Sequence, residues 1–260
     1  MTTQALRDAW RHNVLSPMAF FGEALLAIAH GLPARWRFRR ADFARVLTDS
    51  SARALPIVLV VNVLVGAILA FVGAVQLVKF GAGIFVADLV AIAVAREMGA
   101  VITAVVMCGR TGAAFASELA TMQANEEIDA LRVLGLQPVD HLVVPRVLAL
   151  VIMMPMLYAY GCAAGFFGGF LVGWGMLQLA PQAYLDRSLM VLQGSHLGLG
   201  VSKAVAFGVL VALAGCFHGL HAPRHAAGVG LATTRAVVAG IVGVIALDAV
   251  FAVCANALGV

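Results

Sequence analysis

The sequence contains few charges for its length. Charged residues make up 12% of the 260 residues, about half of the roughly 25% typical of soluble globular chains, and aromatic residues supply only 8%. Hydrophobic residues reach 62%, and the mean hydropathy is +0.99. So little polar material cannot cover a water-facing surface. The composition therefore excludes an ordinary soluble domain and indicates a polytopic membrane protein of the all-α class.

Recognisable catalytic and metal-binding motifs are also lacking. The sequence has no G-x-x-x-x-G-K-[ST] phosphate loop, no H-E-x-x-H, no C-x-x-C and no G-x-S-x-G. The four cysteines lie in apolar stretches without the spacing of zinc or redox sites. We therefore expect a chain that is not an enzyme and holds no metal or cofactor. Its energy source would be another subunit or an ion gradient.

The basic residues are concentrated at the N-terminus. The net charge is +4, and eight of the 17 Lys and Arg residues precede the first long apolar run. These are Arg7, Arg11, Arg35, Arg37, Arg39, Arg40, Arg45 and Arg53. Such a segment would face the anionic cytoplasmic leaflet, which predicts a cytoplasmic N-terminus. Nucleic-acid binding is not expected.

Hydropathy predicts five membrane spans, since about 20 mostly apolar residues cross the hydrocarbon. Their expected bounds are 54–78, 97–121, 145–175, 200–221 and 235–258 within a permease domain of residues 54–260. In the N-terminal segment 1–53, the apolar stretch from Val14 to Leu32 is interrupted by Glu23 and His30. It is expected to be an interfacial amphipathic helix and not a signal peptide.

Charged residues also lie within or beside the spans. They are Arg96, Glu97, Arg110, Glu118, Lys203 and Asp248. A charge at membrane depth costs from about 3 kcal/mol upward and normally has a partner or faces a polar cavity. Two explanations of these charges are open. They form a structural set of ion pairs, or they have a role in gating or binding. Arg110 and Glu118 are too far apart for an ideal direct pair, so each is expected to have another partner.

Small residues recur at four-residue spacing and predict close helix packing. The ladders are Gly161/Gly165/Gly169/Gly173 in span three and Gly109/Ala113/Ser117 and Gly112/Ala116/Ala120 in span two. The spacing leaves open whether the packing partner is the same chain or a second copy.

Residues 125–136 predict a short cytoplasmic helix. Asn125 is a residue type that caps helices, acidic residues follow in the first turn, and Gly135 and Pro138 mark the end. One apolar stripe consists of Ile128, Leu131 and Leu134. The helix either lies on the bilayer surface or docks into a soluble partner.

Three long motifs resemble a known family. They are GRTGAAFASELATMQANEEIDALRVLGLQPVDHLVVPR (Gly109 to Arg146), AREMGAVITAVVMCG before it, and ATTRAVVAGIVGVIALDAV (Ala232 to Val250). They closely resemble the MlaE/YrbE permeases of lipid ABC transporters, over about residues 55–255.

This resemblance implies a homodimer in the bacterial inner membrane that works with several proteins. A cytoplasmic ABC ATPase, which binds ATP and Mg²⁺, would dock on residues 125–136. An MCE-domain protein would bind on the periplasmic side, and in many such complexes a small STAS-domain protein would bind on the cytoplasmic side. Such complexes move phospholipid between the inner membrane and the periplasm and maintain outer-membrane lipid asymmetry.

The resemblance, with the leading hypothesis built on it, assigns three groups of site residues. Glu126, Glu127, Asp129, Leu131, Arg132 and Leu134 would couple to the ATPase. Leu69, Val72, Val75, Arg96, Glu97, Lys203 and Asp248 would form the lipid cavity or its gate, with the polar head near Arg96, Glu97 or Lys203. Gly109, Arg110, Gly112, Glu118, Pro145 and Arg146 match the structural signature.

Two rival functions come from other classes. One is an ion-coupled secondary carrier of a hydrophobic substrate, with Glu118 and Asp248 as ion sites. Five spans and no inverted repeat argue against it. The other is a structural membrane anchor, which would leave the intramembrane charges without a reason.

Overall fold

The computed structural model describes residues 16–31 and 40–259, and within these ranges it contains helices and no strand. The helices are α1 (Ser16–Gly31), α2 (Arg40–Ser51), α3 (Leu55–Leu77), α4 (Phe85–Ala124), α5 (Glu127–Val133), α6 (Val139–Leu177), α7 (Pro181–Val191), α8 (Gly194–Leu220) and α9 (Ala226–Leu258). The all-α class is confirmed. The arginines at positions 7, 11, 35, 37 and 39 lie outside the described residues.

Five helices are long and apolar enough to cross a membrane: α3, α4, α6, α8 and α9. Five spans were predicted, but α4 begins at Phe85, twelve residues before the expected start. The added segment carries a single acid, Asp88, and Arg187 of α7 neutralises it with an Nε to Oδ1 distance of 3.0 Å. The guanidinium of Arg187 also lies 4.7 Å from the ring centroid of Phe85. This pairing lets the apolar segment continue as helix.

Three turns of the spanning helices are widened to the π form. They are Val94–Met98 and Cys108–Gly112 in α4, and Val139–Val143 in α6. Glu97 lies on the first of these turns and Arg110 on the second. A π turn alters the direction in which nearby side chains point, and such turns are frequent at functional sites.

Helices α3 and α6 touch through their backbones. A Cβ added at Gly66 would lie 2.0 Å from the carbonyl oxygen of Gly165, and one at Gly168 would lie 2.0 Å from that of Val63. The ladder from Gly161 to Gly173 therefore has an intramolecular partner, since all four of its glycines contact side chains of this chain. For this ladder the packing partner is the same chain, whereas an added Cβ at Gly109 in the ladder of span two would have no atom within 4 Å.

Helix α1 packs against the bundle with one face. Phe20 and Ala24 are buried, and the ring of Phe20 meets that of Phe217 of α8 edge to face at 5.5 Å. Met18 and Leu26 on the other face are exposed. The position of α1 at a membrane surface stays a prediction.

The first and last spans are the least covered by the rest of the chain. In their most apolar stretches 22% of α3 and 11% of α9 is buried, against 44 to 61% in α4, α6 and α8. The uncovered faces of α3 and α9 are rich in Val, Ile, Leu and Phe. In a membrane they are free to contact lipid or another chain.

The backbone contact of Gly168 predicts a large difference between two glycine substitutions on α6. Gly168→Ala places a methyl group against the backbone of α3, and overpacking of this kind typically costs about 1 to 3 kcal/mol. Gly175 has no atom within 4 Å of an added Cβ, so Gly175→Ala should be neutral or slightly stabilising. Thermal unfolding of the purified variants in detergent measures both. A Gly168→Ala protein as stable as Gly175→Ala would contradict the described packing.

Candidate functional site

The charged residues of three spans meet at one level of the bundle. Glu97 lies twelve residues after the start of α4, Lys203 nine after the start of α8, and Asp248 ten before the end of α9. With a rise of 1.5 Å per residue these positions are about 14 to 18 Å from the helix ends on the side that carries α7. Glu97 and Lys203 were expected to open their spans, but both lie well inside them.

Lys203 is the centre of this cluster, which we call the ion set. Its side chain has no solvent exposure, and its Nζ donates hydrogen bonds to Oε2 of Glu97 and, at 2.8 Å, to Oδ1 of Asp248. The side chains of Glu97 and Asp248 remain 28% and 25% exposed. Arg96 lies at the edge, with its Nε 3.7 Å from Oε1 of Glu97. Two cations and two acids make the ion set neutral.

Neutrality explains how four ionisable side chains fit inside an apolar bundle. A buried charge without a partner is strongly unfavourable, whereas hydrogen-bonded pairs are tolerated. The amine of Lys203 bonds acids from both α4 and α9, so one cation links three helices. Because the acids keep part of their surface uncovered, the ion set can also respond to a group outside the chain.

A second ion pair joins α4 to α6 near the side that carries α5. Nη2 of Arg146 donates to Oε2 of Glu118 at 2.8 Å, and Nη1 donates to the carbonyl of Leu142 at 2.7 Å. Glu118 therefore has the separate partner expected for it. Arg110, on its π turn, forms no ion pair with the residues that the structure describes. Of the other signature residues, Gly112 packs against Val211 of α8, and Pro145 lies in the first turn of the regular part of α6, which begins at Val144.

The short helix predicted at 125–136 is present as α5, with a different start. Its N-cap is Glu126, in the left-handed region at φ +61°, and no side chain caps the helix. Asn125, which was expected to cap it, donates from Nδ2 to Oε1 of Glu127 instead. The expected stop is confirmed, because Gly135 follows the helix with φ +74°.

Asp129 connects α5 to the loop between α8 and α9. Its Oδ1 lies 3.0 Å from Nη1 of Arg132 and its Oδ2 lies 2.7 Å from Nη2 of Arg224. Arg224 stands between the end of α8 and the start of α9. The helices that carry Lys203 and Asp248 are therefore attached to α5 at their common loop.

The exposed surface of α5 is apolar at one end and acidic at the other. Val133 is 87% exposed and Leu134 73%, whereas Ile128 is buried beneath the helix. Glu126 and Glu127 are exposed at its start. The predicted stripe is thus divided, with Ile128 holding α5 to the bundle and Leu134 pointing away from it. Large apolar side chains this exposed at a loop tip are typical of a contact with another molecule.

The three apolar residues predicted to line a lipid cavity lie on the less covered face of α3. Val72 and Val75 are exposed, and Leu69 is half-buried. A cavity of about 410 Å³ lies elsewhere, between α6 and α7, and is lined by Phe166, Phe170 and other apolar residues. The residues of α3 form an open face within this single chain.

Comparison with known proteins decides the family. The family described as Permease MlaE matches residues 43–254. The chain belongs to the MlaE permease family. A probable ABC transporter permease protein of Rickettsia prowazekii is 38% identical over 184 residues, which is 71% of each chain. One from Synechocystis is 30% identical over 235 residues, 90% of this chain and 88% of the relative.

A plant relative extends the family to chloroplasts. The protein TRIGALACTOSYLDIACYLGLYCEROL 1 of Arabidopsis thaliana is 30% identical over 239 residues, covering 92% of this chain and 66% of the relative. The resemblance to MlaE permeases is confirmed. This chain is a multi-pass membrane protein and a transport permease, and an ABC permease implies an ATPase partner.

The ion set predicts a large loss of stability when its central cation is removed. Lys203→Met removes a fully buried cation and leaves the part-buried Glu97 and Asp248 without it, and breaking a buried pair typically costs about 3 to 5 kcal/mol. Arg132→Met removes a cation that is 60% exposed and should cost less than about 1 kcal/mol. Thermal unfolding in detergent compares the two. Equal melting temperatures for these variants would show that Lys203 does not hold the helices together.

Proposed function

We propose that this MlaE permease moves phospholipid between the inner membrane and the periplasm of a bacterium as part of an Mla-type ABC transporter. Family membership supports transport by an ABC permease. The name of the Arabidopsis relative contains that of a diacylglycerol lipid, which supports a glycerolipid cargo. ATP and Mg²⁺ are bound by the ATPase subunit, and this chain supplies the membrane path. Its N-terminus and α5 face the cytoplasm.

The observation that carries the proposal is the presence, in one bundle, of an uncovered apolar face on α3 and of partly exposed charges well inside the spanning helices. Acyl chains need only nonpolar contact, which Leu69, Val72 and Val75 on α3 can provide. A phospholipid headgroup carries both signs of charge, and the ion set offers acids and a guanidinium. We propose that two copies of the chain enclose a cavity between these surfaces.

The burial of Lys203 refines the roles within the ion set. Its ammonium group has no exposed surface, so a headgroup meets the uncovered parts of Arg96, Glu97 and Asp248 instead. Lys203 holds the two carboxylates in place. A headgroup amine competes with Lys203 for those acids, and this competition is a route by which cargo loosens the contact between α4, α8 and α9.

The ATPase acts on the ion set through α5. The exposed Val133 and Leu134 insert into an apolar groove of the ATPase, in the manner of helix-in-groove recognition. Movement of α5 reaches the loop between α8 and α9 through the bond from Asp129 to Arg224. A periplasmic MCE-domain protein receives the lipid on the other side, and a STAS-domain protein is a further cytoplasmic partner.

The docking role predicts that the tip of α5 is required for complex formation. The double variant Val133→Ser and Leu134→Ser removes apolar contact without adding charge, and we expect at least a tenfold loss of co-purified ATPase. The control is Leu189→Ser with Met190→Ser on α7, an exposed apolar pair (69% and 79%) on the opposite side. It should leave the ATPase bound. Normal ATPase recovery with the α5 variant would count against docking at this helix.

The function itself is tested by purifying the complex from its native membrane in mild detergent, followed by mass spectrometry of associated proteins and lipids. An ATPase, an MCE protein and phospholipid at near-stoichiometric amounts are the expected result. Recovery of the chain alone would favour the ion-coupled carrier. The structure gives that rival little support, because its two proposed ion sites, Glu118 and Asp248, are both paired with cations.

A further inference from the structure

The hydroxyl of Tyr158 lies where three spanning helices meet. Tyr158 belongs to α6 and is 2% exposed, and its O–H donates to the backbone carbonyl of Ala95 in α4 at 2.6 Å. Ala95 lies in the π turn Val94–Met98, which also carries Glu97. The Sγ of Cys162, one turn further along α6, is 3.8 Å from the carbonyl of Val94. Helix α6 therefore contacts two consecutive carbonyls of this turn.

A widened turn needs such donors more than a regular one. Where a helix changes from π to α hydrogen bonding, the register shifts by one residue and a carbonyl loses its partner within the helix. Inside a membrane no water is available to replace that partner. A donor from a neighbouring helix satisfies the carbonyl and also holds the turn at one rotation.

Helix α8 is packed directly against this hydrogen bond. A Cβ added at Gly200 would lie 2.1 Å from Oη of Tyr158 and 2.5 Å from the carbonyl oxygen of Ala95. Lys203 follows Gly200 by three residues and so lies on nearly the same face of α8. Gly200 therefore brings α8 against both partners of the hydrogen bond between Tyr158 and Ala95, three residues before the lysine that bonds Glu97.

We propose that Tyr158 is a positioning residue for the ion set. Its hydroxyl holds the turn Val94–Met98 at the rotation and depth that bring the carboxylate of Glu97 onto Lys203. Tyr158 does not touch cargo in this role. The inference rests on the proposed function for its effect on transport, whereas its geometric part holds for any cargo.

The chain offers a matched control for the test. Tyr184 is as buried as Tyr158, at 2%, and its hydroxyl has no hydrogen-bond partner among the described residues. Tyr158→Phe and Tyr184→Phe therefore remove the same atom from equally buried rings. In vesicles that contain the complete complex, phospholipid moved per ATP hydrolysed should fall about tenfold for Tyr158→Phe, the loss expected for one buried hydrogen bond. Tyr184→Phe should stay within about twofold.

A second measurement does not depend on transport. The loss of melting temperature caused by Tyr158→Phe is measured twice, once in the otherwise natural chain and once in a chain that also carries Glu97→Gln. Glu97→Gln removes the charge that the turn positions. If Tyr158 acts through Glu97, the loss caused by Tyr158→Phe shrinks by at least half in the Glu97→Gln background, while any loss from Tyr184→Phe is the same in both. Equal losses for Tyr158→Phe in the two backgrounds would overturn the proposal, because a merely structural hydroxyl gives additive effects.

The two ideas fail in different ways. If the stability loss from Tyr158→Phe depends on Glu97 but the complex moves no phospholipid, the proposed function is refuted and the positioning role is left intact. If the stability losses from Tyr158→Phe and Glu97→Gln simply add, in a complex that does move phospholipid, the positioning role alone is refuted. If the Tyr158→Phe protein does not insert into the membrane, Cys162→Ala replaces it in the comparison with Glu97→Gln. Cys162→Ala removes the weaker contact on the same turn, and its loss of melting temperature should likewise shrink by at least half in the Glu97→Gln background.

Discussion

A lysine ammonium group buried inside a membrane bundle requires anionic partners, and the arrangement of this protein depends on how that requirement is met. Lys203 has no exposed surface and bonds one acid from α4 and one from α9. Sliding any of the three helices by one turn, about 5.4 Å, would break at least one of these bonds. The ion set therefore defines the relative height of α4, α8 and α9.

The rest of the bundle is held by a different kind of contact. Helices α3 and α6 approach so closely at Gly66 and Gly168 that their backbones touch, and dispersion attraction between them needs no charge. Helices α3 and α6 thus share a close-packed apolar contact, whereas α4, α8 and α9 are joined by the few polar bonds of the ion set. The polar part is the one attached to α5, through Asp129 and Arg224. Polar contacts can be exchanged for bonds to cargo or to water, whereas a backbone contact between glycines cannot.

Much of the fold was predictable because hydropathy is a local property. The five spans, the short helix α5 and its stop at Gly135 all follow from local composition and from helix-ending residues within a few turns of chain. The predictions that differ from the structure involve a distant partner in one case and a local backbone conformation in the other. The second span was predicted to start at residue 97, whereas α4 begins at Phe85 and its acid Asp88 is paired with Arg187, 99 residues away. Glu126 takes the cap position expected for Asn125 by adopting a left-handed backbone conformation, which its residue type does not indicate.

By itself the sequence determined that the chain is an all-α membrane protein, approximately where its spans lie, and to which family it belongs. These properties follow from the transfer of apolar residues into lipid and from long contiguous motifs. The tertiary structure alone decided which charges pair, which glycines touch, and that Tyr158 contacts the turn carrying Glu97. Lys203 is 106 residues from Glu97 and 45 from Asp248, so their contact depends on the rotation and height of three separate helices. Those are set jointly by packing along each helix and by the ion pairs themselves, and no local pattern of residues contains them.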